Sequence, residues 1–316
     1  MKNFVLVGAA GYIAPRHMKA IKDTGNNLVA AMDMSDSVGI IDSHFPQAQF
    51  FTDFELFDAH LNAERRAGRG VDYVSIASPN FLHSAHMQWA LRAGSDAICE
   101  KPLVLYPEQI DELKATEAET GQKIHTILQL RLHPAILALR DRVAKTPAKE
   151  KVDVDLTYIT SRGNWYMKSW KNVTDKSGGI ATNIGVHFFD MLHFVYGELQ
   201  ENIVHLNTPT KAGGYLEYGK ARVRWFLSLD YNDIPEEERA KGKRTFRSVV
   251  ADGENLEFSD GFTELHTKIY EDVLSGGGFG VEENRVAIET VTSIRTAPIA
   301  PAGDLAHELA QKLVRQ

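Results

Sequence analysis

Phe4-Val5-Leu6-Val7-Gly8-Ala9-Ala10-Gly11-Tyr12-Ile13-Ala14 is the stretch of sequence that decides the fold. It is a short apolar run closed by glycine, and a helical pattern follows it as far as Gly25. In the spacing Gly8-x-x-Gly11-x-x-Ala14, the first glycine permits a tight turn and the second lets the backbone approach a pyrophosphate. The third small residue keeps the helix close to the sheet. A plain turn between a strand and a helix is the alternative for this stretch alone.

Strands and helices alternate through the first 130 residues. Strands are predicted at 28–32, 71–77, 96–99 and 123–128, and helices at 53–66, 83–92 and 107–119, with Asp53 as a cap. This order predicts a doubly wound parallel sheet, a Rossmann domain, over residues 1–130. Residues 131–316 show long alternating segments at 152–161, 219–229, 244–251 and 255–258, with helices at 184–196, 263–274, 281–296 and 305–313. We therefore expect a second, α+β domain with a mostly antiparallel open sheet.

Composition limits the classes of function. The 316 residues, 43% of them hydrophobic, can form two domains that each bury a core. A net charge of −7 argues against a nucleic-acid partner. Cys99 is the sole cysteine, so an intrachain disulfide cannot form and a reducing, cytoplasmic location is expected. No apolar run approaches the roughly 18 residues that a membrane span requires, so no membrane partner is predicted.

Polar residues follow the predicted strands where a cofactor would bind. Asp33 ends the second strand, about 20 residues beyond the glycine turn, where a carboxylate can accept hydrogen bonds from an adenosine ribose. Its charge would repel a 2′-phosphate, so NAD is favoured over NADP. A helix cap or a solvated turn is the alternative for Asp33. Ser78-Pro79-Asn80-Phe81-Leu82-His83 follows another strand and is placed at the same edge of the sheet, although a simple proline turn is also consistent with it.

Lys101 and His187 are the candidates for proton transfer. Lys101 lies in Glu100-Lys101-Pro102, directly after a strand, and a lysine in a partly dry site loses pKa by desolvation. Asn183, His187 and Asp190 share one face of a predicted helix, and a histidine titrates near neutral pH. A solvated lysine and a core histidine are the alternatives. No Cys/His or HExxH pattern accompanies His187, so no metal is predicted.

With these residues in view, the chain resembles the glucose-fructose oxidoreductase, inositol dehydrogenase and MocA family (Gfo/Idh/MocA) over nearly its whole length. The resemblance rests on the glycine turn and on the motifs Ser78-Pro79-Asn80 with His83, Glu100-Lys101-Pro102, Arg131, Trp170-Lys171, and Gly178-Gly179 leading to His187. More narrowly, residues 8–25 and Asp36-Ser-Val-Gly39 are similar to bacterial UDP-N-acetyl-2-amino-2-deoxyglucuronate dehydrogenases of the WbpB/WlbA kind.

The resemblance implies NAD-dependent oxidation of the C3 hydroxyl of UDP-N-acetyl-2-amino-2-deoxy-D-glucuronate (UDP-N-acetylglucosaminuronate) to the 3-keto sugar. This reaction would belong to the biosynthesis of the diacetamido uronic acids of lipopolysaccharide O-antigen. The resemblance also implies recycling of NADH with 2-oxoglutarate and a homo-oligomer, either a dimer or a homotetramer. A dehydrogenase of another sugar or of inositol, and a non-catalytic regulator that binds NAD and a sugar, are the alternatives.

We therefore expect three sets of functional residues. The catalytic residues are Lys101 and His187. The cofactor-binding residues are Gly8, Ala10, Gly11, Tyr12, Ile13, Asp33, Ser78, Asn80, His83, Glu100, Lys101 and Gln129. The substrate-binding residues are Lys101, Arg131, Asn164, Trp165, Tyr166, Lys171, Thr182, Asn183 and His187. Many family members carry aspartate where this chain has Asn183. Because an amide cannot take a proton, we assign to Asn183 only the orientation of a hydroxyl or acetamido group.

Overall fold

The computed structural model of the protein describes residues 1–145, 147, 150–256 and 264–314. The strands in chain order are β1 (Asn3–Val7), β2 (Asn27–Met32), β3 (Gln49–Phe51), β4 (Tyr73–Ile76), β5 (Asp96–Cys99), β6 (Ile124–Thr126), β7 (Val152–Thr160), β8 (Leu199–Asn207), β9 (Lys211–Tyr218), β10 (Ala221–Ser228), β11 (Thr245–Ala251) and β12 (Glu254–Asn255).

The helices in chain order are α1 (Ala14–Asp23), α2 (Ile40–His44), α3 (Phe54–Arg66), α4 (His83–Arg92), α5 (Glu108–Thr120), α6 (Pro134–Lys145), α7 (Asn164–Lys168), α8 (Thr174–Ser177), α9 (Val186–Tyr196), α10 (Glu236–Ala240), α11 (Leu265–Leu274), α12 (Arg285–Thr296) and α13 (Glu308–Val314). None of the helices in the described ranges has the length and hydropathy needed to cross a bilayer.

The chain forms two compact units, and the first consists of Met1–Leu132 and Phe262–Arg285. In its described part, six parallel strands form one sheet in the order β3-β2-β1-β4-β5-β6. This order confirms the predicted doubly wound sheet. The strand order reverses between β1 and β4, and ligands bind such folds outside the carboxyl ends of the strands at that point.

The predicted domain boundary at residue 130 does not hold for α11, which belongs to the first unit. We expected all residues after 130 to form one domain, but α11 packs with the N-terminal residues. Its Ile269, Tyr270 and Val273 are buried in one core with Phe4 and Leu6 of β1. The apolar face of α11 is equally compatible with either unit by sequence, so periodicity alone could not assign it.

The second unit, His133–Gly261 with Val286–Gln316, contains a sheet in the order β12-β11-β7-β10-β9-β8 within its described residues. The central strands β7 and β10 run parallel, and the other pairs are antiparallel. The predicted α+β architecture is therefore confirmed. Buried side chains of β7 and β10, among them Leu156, Trp225 and Phe226, contribute to its core.

Several element predictions require correction. Strands β8 and β9 and helix α6 were not predicted. Asp53 precedes α3, but its side chain makes no capping hydrogen bond and instead accepts one from the Thr52 hydroxyl at 3.2 Å. The helix predicted from Ile184 is regular only from Val186, after a π-helical turn at Ala181–Gly185. The predictions of a strand to Phe258 and of a helix from Thr263 extend to residues 257, 258 and 263, which lie outside the described residues.

Candidate active site

The glycine turn after β1 has a backbone that other residues cannot adopt without strain. Gly8 has φ +92°, and a Cβ there would lie 2.5 Å from the Ala77 carbonyl carbon and the Ser78 nitrogen. At Gly11, a Cβ would lie 3.1 Å from the Gly8 oxygen. The end of β4 therefore lies directly against the turn, which fits the close backbone approach that a pyrophosphate needs.

Asp33 joins the turn to the end of β2. One carboxylate oxygen accepts the Ala10 N–H at 2.9 Å, and the other accepts the Ser35 N–H at 2.9 Å. Each oxygen keeps a further lone pair, so the carboxylate can still accept a ribose hydroxyl. Ala10, predicted to contact the cofactor, already donates its N–H to Asp33. Tyr12 is 91% exposed, and Ile13 occupies the position just before α1.

His83 holds together the two loops that follow β4 and β5. Its ring is 1% exposed, with Nδ1 2.8 Å from the Pro102 carbonyl oxygen and Nε2 2.8 Å from the Ser78 carbonyl oxygen. Each ring nitrogen thus faces a backbone carbonyl oxygen, and the ring nitrogen that carries the proton donates to one of them. The predicted contact of His83 with a cofactor would have to displace one of these carbonyl groups. Burial is the main cause that lowers the pKa of His83. Asn80 is buried in the same loop, and the Ser78 hydroxyl contacts His86 at 2.9 Å.

Glu100 and Lys101 follow β5 directly. Glu100 is buried, and one of its oxygens lies 3.1 Å from His17 Nε2 and 2.8 Å from His266 Nε2. Burial raises the pKa of the Glu100 carboxyl, but the hydrogen bonds and the electrostatic interactions with the two histidines together outweigh it and hold that pKa well below its usual range. Lys101 is half-buried, and its backbone N–H lies 3.3 Å from the second Glu100 oxygen. Sequence reasoning found Glu100 but missed both histidines, because they are 83 and 166 residues away.

A 3₁₀ turn at Gln129–Leu132 follows β6 and carries two further predicted residues, both buried. The Arg131 guanidinium donates to the Glu283 carbonyl oxygen at 3.0 Å and lies 5.3 Å from the centre of the Phe279 ring. Part of its hydrogen-bonding capacity is therefore used within the first unit. Cys99 is fully buried, and burial raises the pKa of its thiol, which agrees with a structural role.

In the second unit, the predicted substrate residues surround α7 and the π-helical turn. Asn164 and Trp165 are exposed, whereas Tyr166 is 2% exposed and its hydroxyl accepts a hydrogen bond from Asn183 Nδ2 at 2.7 Å. The structure therefore brings Tyr166 and Asn183 together. The pKa of Tyr166 is raised, chiefly by burial.

Thr182, Asn183 and His187 lie at the change from the π-helical turn to α9. Asn183 and His187 are half-buried, whereas Thr182 is fully buried and its hydroxyl oxygen has no hydrogen-bond partner among the described residues. Single π-helical turns inside helices are frequent at functional sites. Sequence spacing predicted the helix but gave no indication of the wider turn.

A cavity of about 250 Å³ opens beside Tyr166 and Lys171. Among the described residues, its lining includes two basic side chains, Lys171 and Arg295, and no acidic one. Lys171 Nζ lies 4.2 Å from the centre of the Trp170 ring. Sequence reasoning missed Arg295, because it lies near the end of α12, more than 120 residues beyond the loop that pointed to Lys171. Its position in the last turn of a helix carried no motif.

Two family models match most of the chain. Residues 2–127 match the NAD-binding Rossmann fold of the Gfo/Idh/MocA oxidoreductase family, and residues 150–240 match the C-terminal alpha/beta domain of that family. The chain belongs to the Gfo/Idh/MocA family. Its first unit is thus an NAD-binding Rossmann domain, as the glycine turn and Asp33 indicated, and the predicted family membership is confirmed.

This Gfo/Idh/MocA protein is similar to two solved structures of a bacterial dehydrogenase. The WlbA (WbpB) dehydrogenase of Thermus thermophilus in complex with NAD and alpha-ketoglutarate is 52% identical, with a TM-score of 0.94, and the match covers 98% of this chain and 100% of that one. A second structure of that dehydrogenase contains NAD and UDP-GlcNAcA, with 51% identity, the same TM-score and the same coverage.

Curated relatives in the Gfo/Idh/MocA family are more distant. D-glucoside 3-dehydrogenase of Escherichia coli (strain K12) is 27% identical over 66% of this chain and 58% of its own length. The putative oxidoreductase YteT of Bacillus subtilis (strain 168) is 22% identical over 75% of this chain and 53% of its own length. The chain thus spans little more than half the length of these relatives.

Proposed function

We propose that the protein oxidises the C3 hydroxyl of UDP-N-acetylglucosaminuronate to a ketone with NAD, and that the reducing equivalents pass to 2-oxoglutarate. The observation that carries this proposal is the 52% identity, over nearly the full length of both chains, to a dehydrogenase solved with NAD and with each of the two reactants. The overall exchange balances, because the 3-keto sugar and 2-hydroxyglutarate form in equal amounts.

The residues of the first unit would hold the cofactor. Gly8 and Gly11 leave room for the pyrophosphate, and Asp33 has the acceptor capacity to bind the adenosine ribose. NAD, when bound, supplies the acceptor for the hydrogen that leaves C3 with its electron pair.

Lys101 and His187 would carry the proton transfer. The C3 hydroxyl must lose its proton as the ketone forms, and an amine or imidazole with a pKa near neutrality accepts it efficiently. Asn183 cannot accept a proton, and its bond to the Tyr166 hydroxyl orients the amide. We assign base chemistry to Lys101 and to His187, and substrate orientation to Asn183.

The cavity of the second unit would hold an anionic part of the substrate. UDP-N-acetylglucosaminuronate carries two phosphates and a carboxylate, and Lys171 and Arg295 are the cations in the cavity lining. Charge-assisted hydrogen bonds of this type are about twice as strong as neutral ones. A biosynthetic role in O-antigen, a cytoplasmic location and a homo-oligomeric state stay predictions.

The test is an assay of the purified protein with NAD, UDP-N-acetylglucosaminuronate and 2-oxoglutarate. We expect the 3-keto sugar and 2-hydroxyglutarate in a ratio of one to one by mass spectrometry. Lys101→Met and His187→Asn should each lower kcat by about 10²- to 10⁴-fold, the usual contribution of general base catalysis. Lys168→Met, at the exposed end of α7, is the control and should retain activity.

Failure to form a 3-keto product would refute the proposal. Turnover of a free sugar or of inositol at a comparable kcat/KM would favour a dehydrogenase of another polyol. Undiminished biological activity of the Lys101→Met protein would favour a regulator that binds NAD and a sugar.

A further inference from the structure

A buried polar cluster lies beneath Lys101 in the first unit. It contains His17 of α1, Ser75 of β4, Glu100 after β5, and His266 and Tyr270 of α11. Each of them is at least 93% buried. Glu100 lies 3.1 Å from His17 Nε2 and 2.8 Å from His266 Nε2. His17 Nδ1 lies 2.7 Å from the Tyr270 hydroxyl, which lies 2.6 Å from the Ser75 hydroxyl.

The distances determine where the protons lie. Both Nε2 atoms approach the same carboxylate oxygen, which can only accept, so each imidazole must carry a proton on Nε2. His17 Nδ1 and the Tyr270 and Ser75 hydroxyls continue this chain of hydrogen bonds away from Glu100. Burial is the main cause that lowers the pKa of His266, so this ring is neutral near pH 7 and its Nδ1, which has no partner among the described residues, carries no proton.

A bound metal ion is the competing account of the same atoms. His17, Glu100 and His266 each offer one ligand atom, all within 4.8 Å of one another. Ligands about 2.0–2.1 Å from a tetrahedral zinc would lie about 3.3 Å apart. The observed 2.8 and 3.1 Å instead have the length of N–H···O bonds. The hydrogen-bonded interpretation is therefore favoured.

The members of the cluster come from elements that carry the candidate catalytic site. His17 lies in α1, which begins after the glycine turn, and Glu100 directly precedes Lys101. The second Glu100 oxygen lies 3.3 Å from the Lys101 N–H. A buried carboxylate that loses a donor pays a large desolvation penalty, so the two imidazoles restrict Glu100, and with it the backbone at Lys101, to one arrangement.

We propose that His17 and His266 are positioning residues that act through Glu100 to fix Lys101 relative to the glycine turn. This inference rests on the proposed function of Lys101 as a base. Neither histidine contacts a reacting atom in this role. Their effect should therefore appear in kcat more than in the KM of either ligand.

The test compares His266→Gln with His266→Leu in the full-length protein. A glutamine amide can replace the Nε2–H donor, whereas leucine keeps a similar volume without a donor. We expect His266→Gln to keep kcat within about 3-fold and His266→Leu to lower kcat about 10- to 100-fold, with KM for the nucleotide sugar changed less than about 3-fold. Equal kcat in the two variants, expressed per NAD-binding site, would overturn the proposal.

Two further measurements keep the test decisive. If His266→Leu does not fold, Tyr270→Phe replaces it as the test. This variant removes only the hydroxyl that contacts His17, and we expect it to lower kcat about 2- to 5-fold. The rate at which an amine-reactive reagent labels Lys101, read by mass spectrometry, needs no substrate. If the labelling rate changes in His266→Leu and not in His266→Gln, the positioning role is supported. If the wild-type protein also shows no turnover, the proposed reaction is rejected while the positioning role is retained. One zinc ion per chain in the purified protein would overturn the hydrogen-bonded cluster.

Discussion

The carboxyl ends of the strands in the first unit and the cavity of the second unit differ in how far their polar groups are satisfied. Asp33 accepts two backbone N–H groups, His83 contacts two carbonyl oxygens, and Glu100 contacts two imidazoles. In the second unit, the Asn172 side-chain oxygen, on a residue of the cavity lining, and the Thr182 hydroxyl have no partner within the described ranges.

This difference indicates that the polar groups of the first unit are ordered before a ligand binds, whereas those beside the cavity of the second unit gain hydrogen bonds from a ligand. Buried groups that already have partners keep their geometry before a ligand binds, which lowers the cost of ordering on binding. Unpartnered polar atoms beside a cavity gain most when a polar ligand supplies the missing bonds. We therefore expect changes in the first unit to disrupt geometry and changes around the cavity to weaken ligand affinity.

The largest effect is expected for Gly8→Ala. The added Cβ would lie 2.5 Å from backbone atoms of Ala77 and Ser78 at a φ of +92°, so the turn or the end of β4 must move. We expect NAD affinity, measured by calorimetric titration, to fall at least about 100-fold, equivalent to about 2.7 kcal/mol.

Gly39→Ala is the matched control for this change. Gly39 precedes α2 with φ −53°, and a Cβ there would meet no atom within 4 Å. If both variants bind NAD equally well, the glycine turn is not rigid. The first unit would then not be a site whose geometry is fixed before a ligand binds.

The next effect is the pH dependence of stability through His307 of the second unit. Its Nδ1 accepts the Leu309 N–H at 3.2 Å, its Nε2 lies 2.9 Å from the Thr157 hydroxyl, and burial lowers its pKa to about 4. In the unfolded chain the pKa is about 6.5, so the unfolded state binds the extra proton between these values. Stability from this group is complete above pH 6.5 and is lost as the pH falls towards 4.

We expect His307 to account for about 2 kcal/mol of the stability lost between pH 7 and pH 5, measured by urea unfolding. His307→Gln should remove that part of the pH dependence. An unchanged dependence in the variant would show that His307 binds its proton at the same pH in the folded and unfolded states, so that its surroundings in the second unit do not exclude water.

The smallest of these effects is expected for Arg295→Gln. The variant removes one cation from the cavity lining while α12 stays intact. We expect KM for UDP-N-acetylglucosaminuronate to rise about 10-fold, equivalent to about 1.4 kcal/mol, with kcat within about 2-fold.

Arg222→Gln tests whether the effect of Arg295→Gln is specific to the cavity. Arg222 lies on β10 of the same unit, outside the cavity lining, with a half-exposed side chain that pairs with Asp153 at 3.5 Å. It should leave KM unchanged. A fall in kcat for Arg295→Gln without a change in KM would place Arg295 among the residues that set geometry and would remove the contrast between the units.

The parts of the fold that sequence predicted well depend on local patterns. The β1 turn and α1 follow from glycine spacing, and the bounds of α4 and β5 agree with the prediction because Gly94 ends the helix and a short apolar strand follows. Strand β8 was missed, because it carries polar residues at exposed positions on both faces and offers little alternation to detect.

The candidate site shows the same limit. Gly8, Asp33 and Lys101 could be found, because motifs with fixed spacing contain them. His17, His266 and Arg295 could not be found, because their roles depend on contacts between segments far apart in the chain. Asp190, expected on one face with Asn183 and His187, is 2% exposed, whereas the other two are half-buried. The hydroxyl of Thr182 without a partner is likewise a property of packing.

The return of α11 to the N-terminal core has a consequence for how the protein folds during synthesis. Tyr270 lies 5.7 Å, centre to centre, from the Phe4 ring, and Ile269 and Val273 share that core. When the ribosome has released only the first 132 residues, these apolar surfaces lack their cover. The nucleotide-binding half can therefore complete its core only after about 140 further residues have been added beyond Leu132, and until then its apolar surface is incompletely buried.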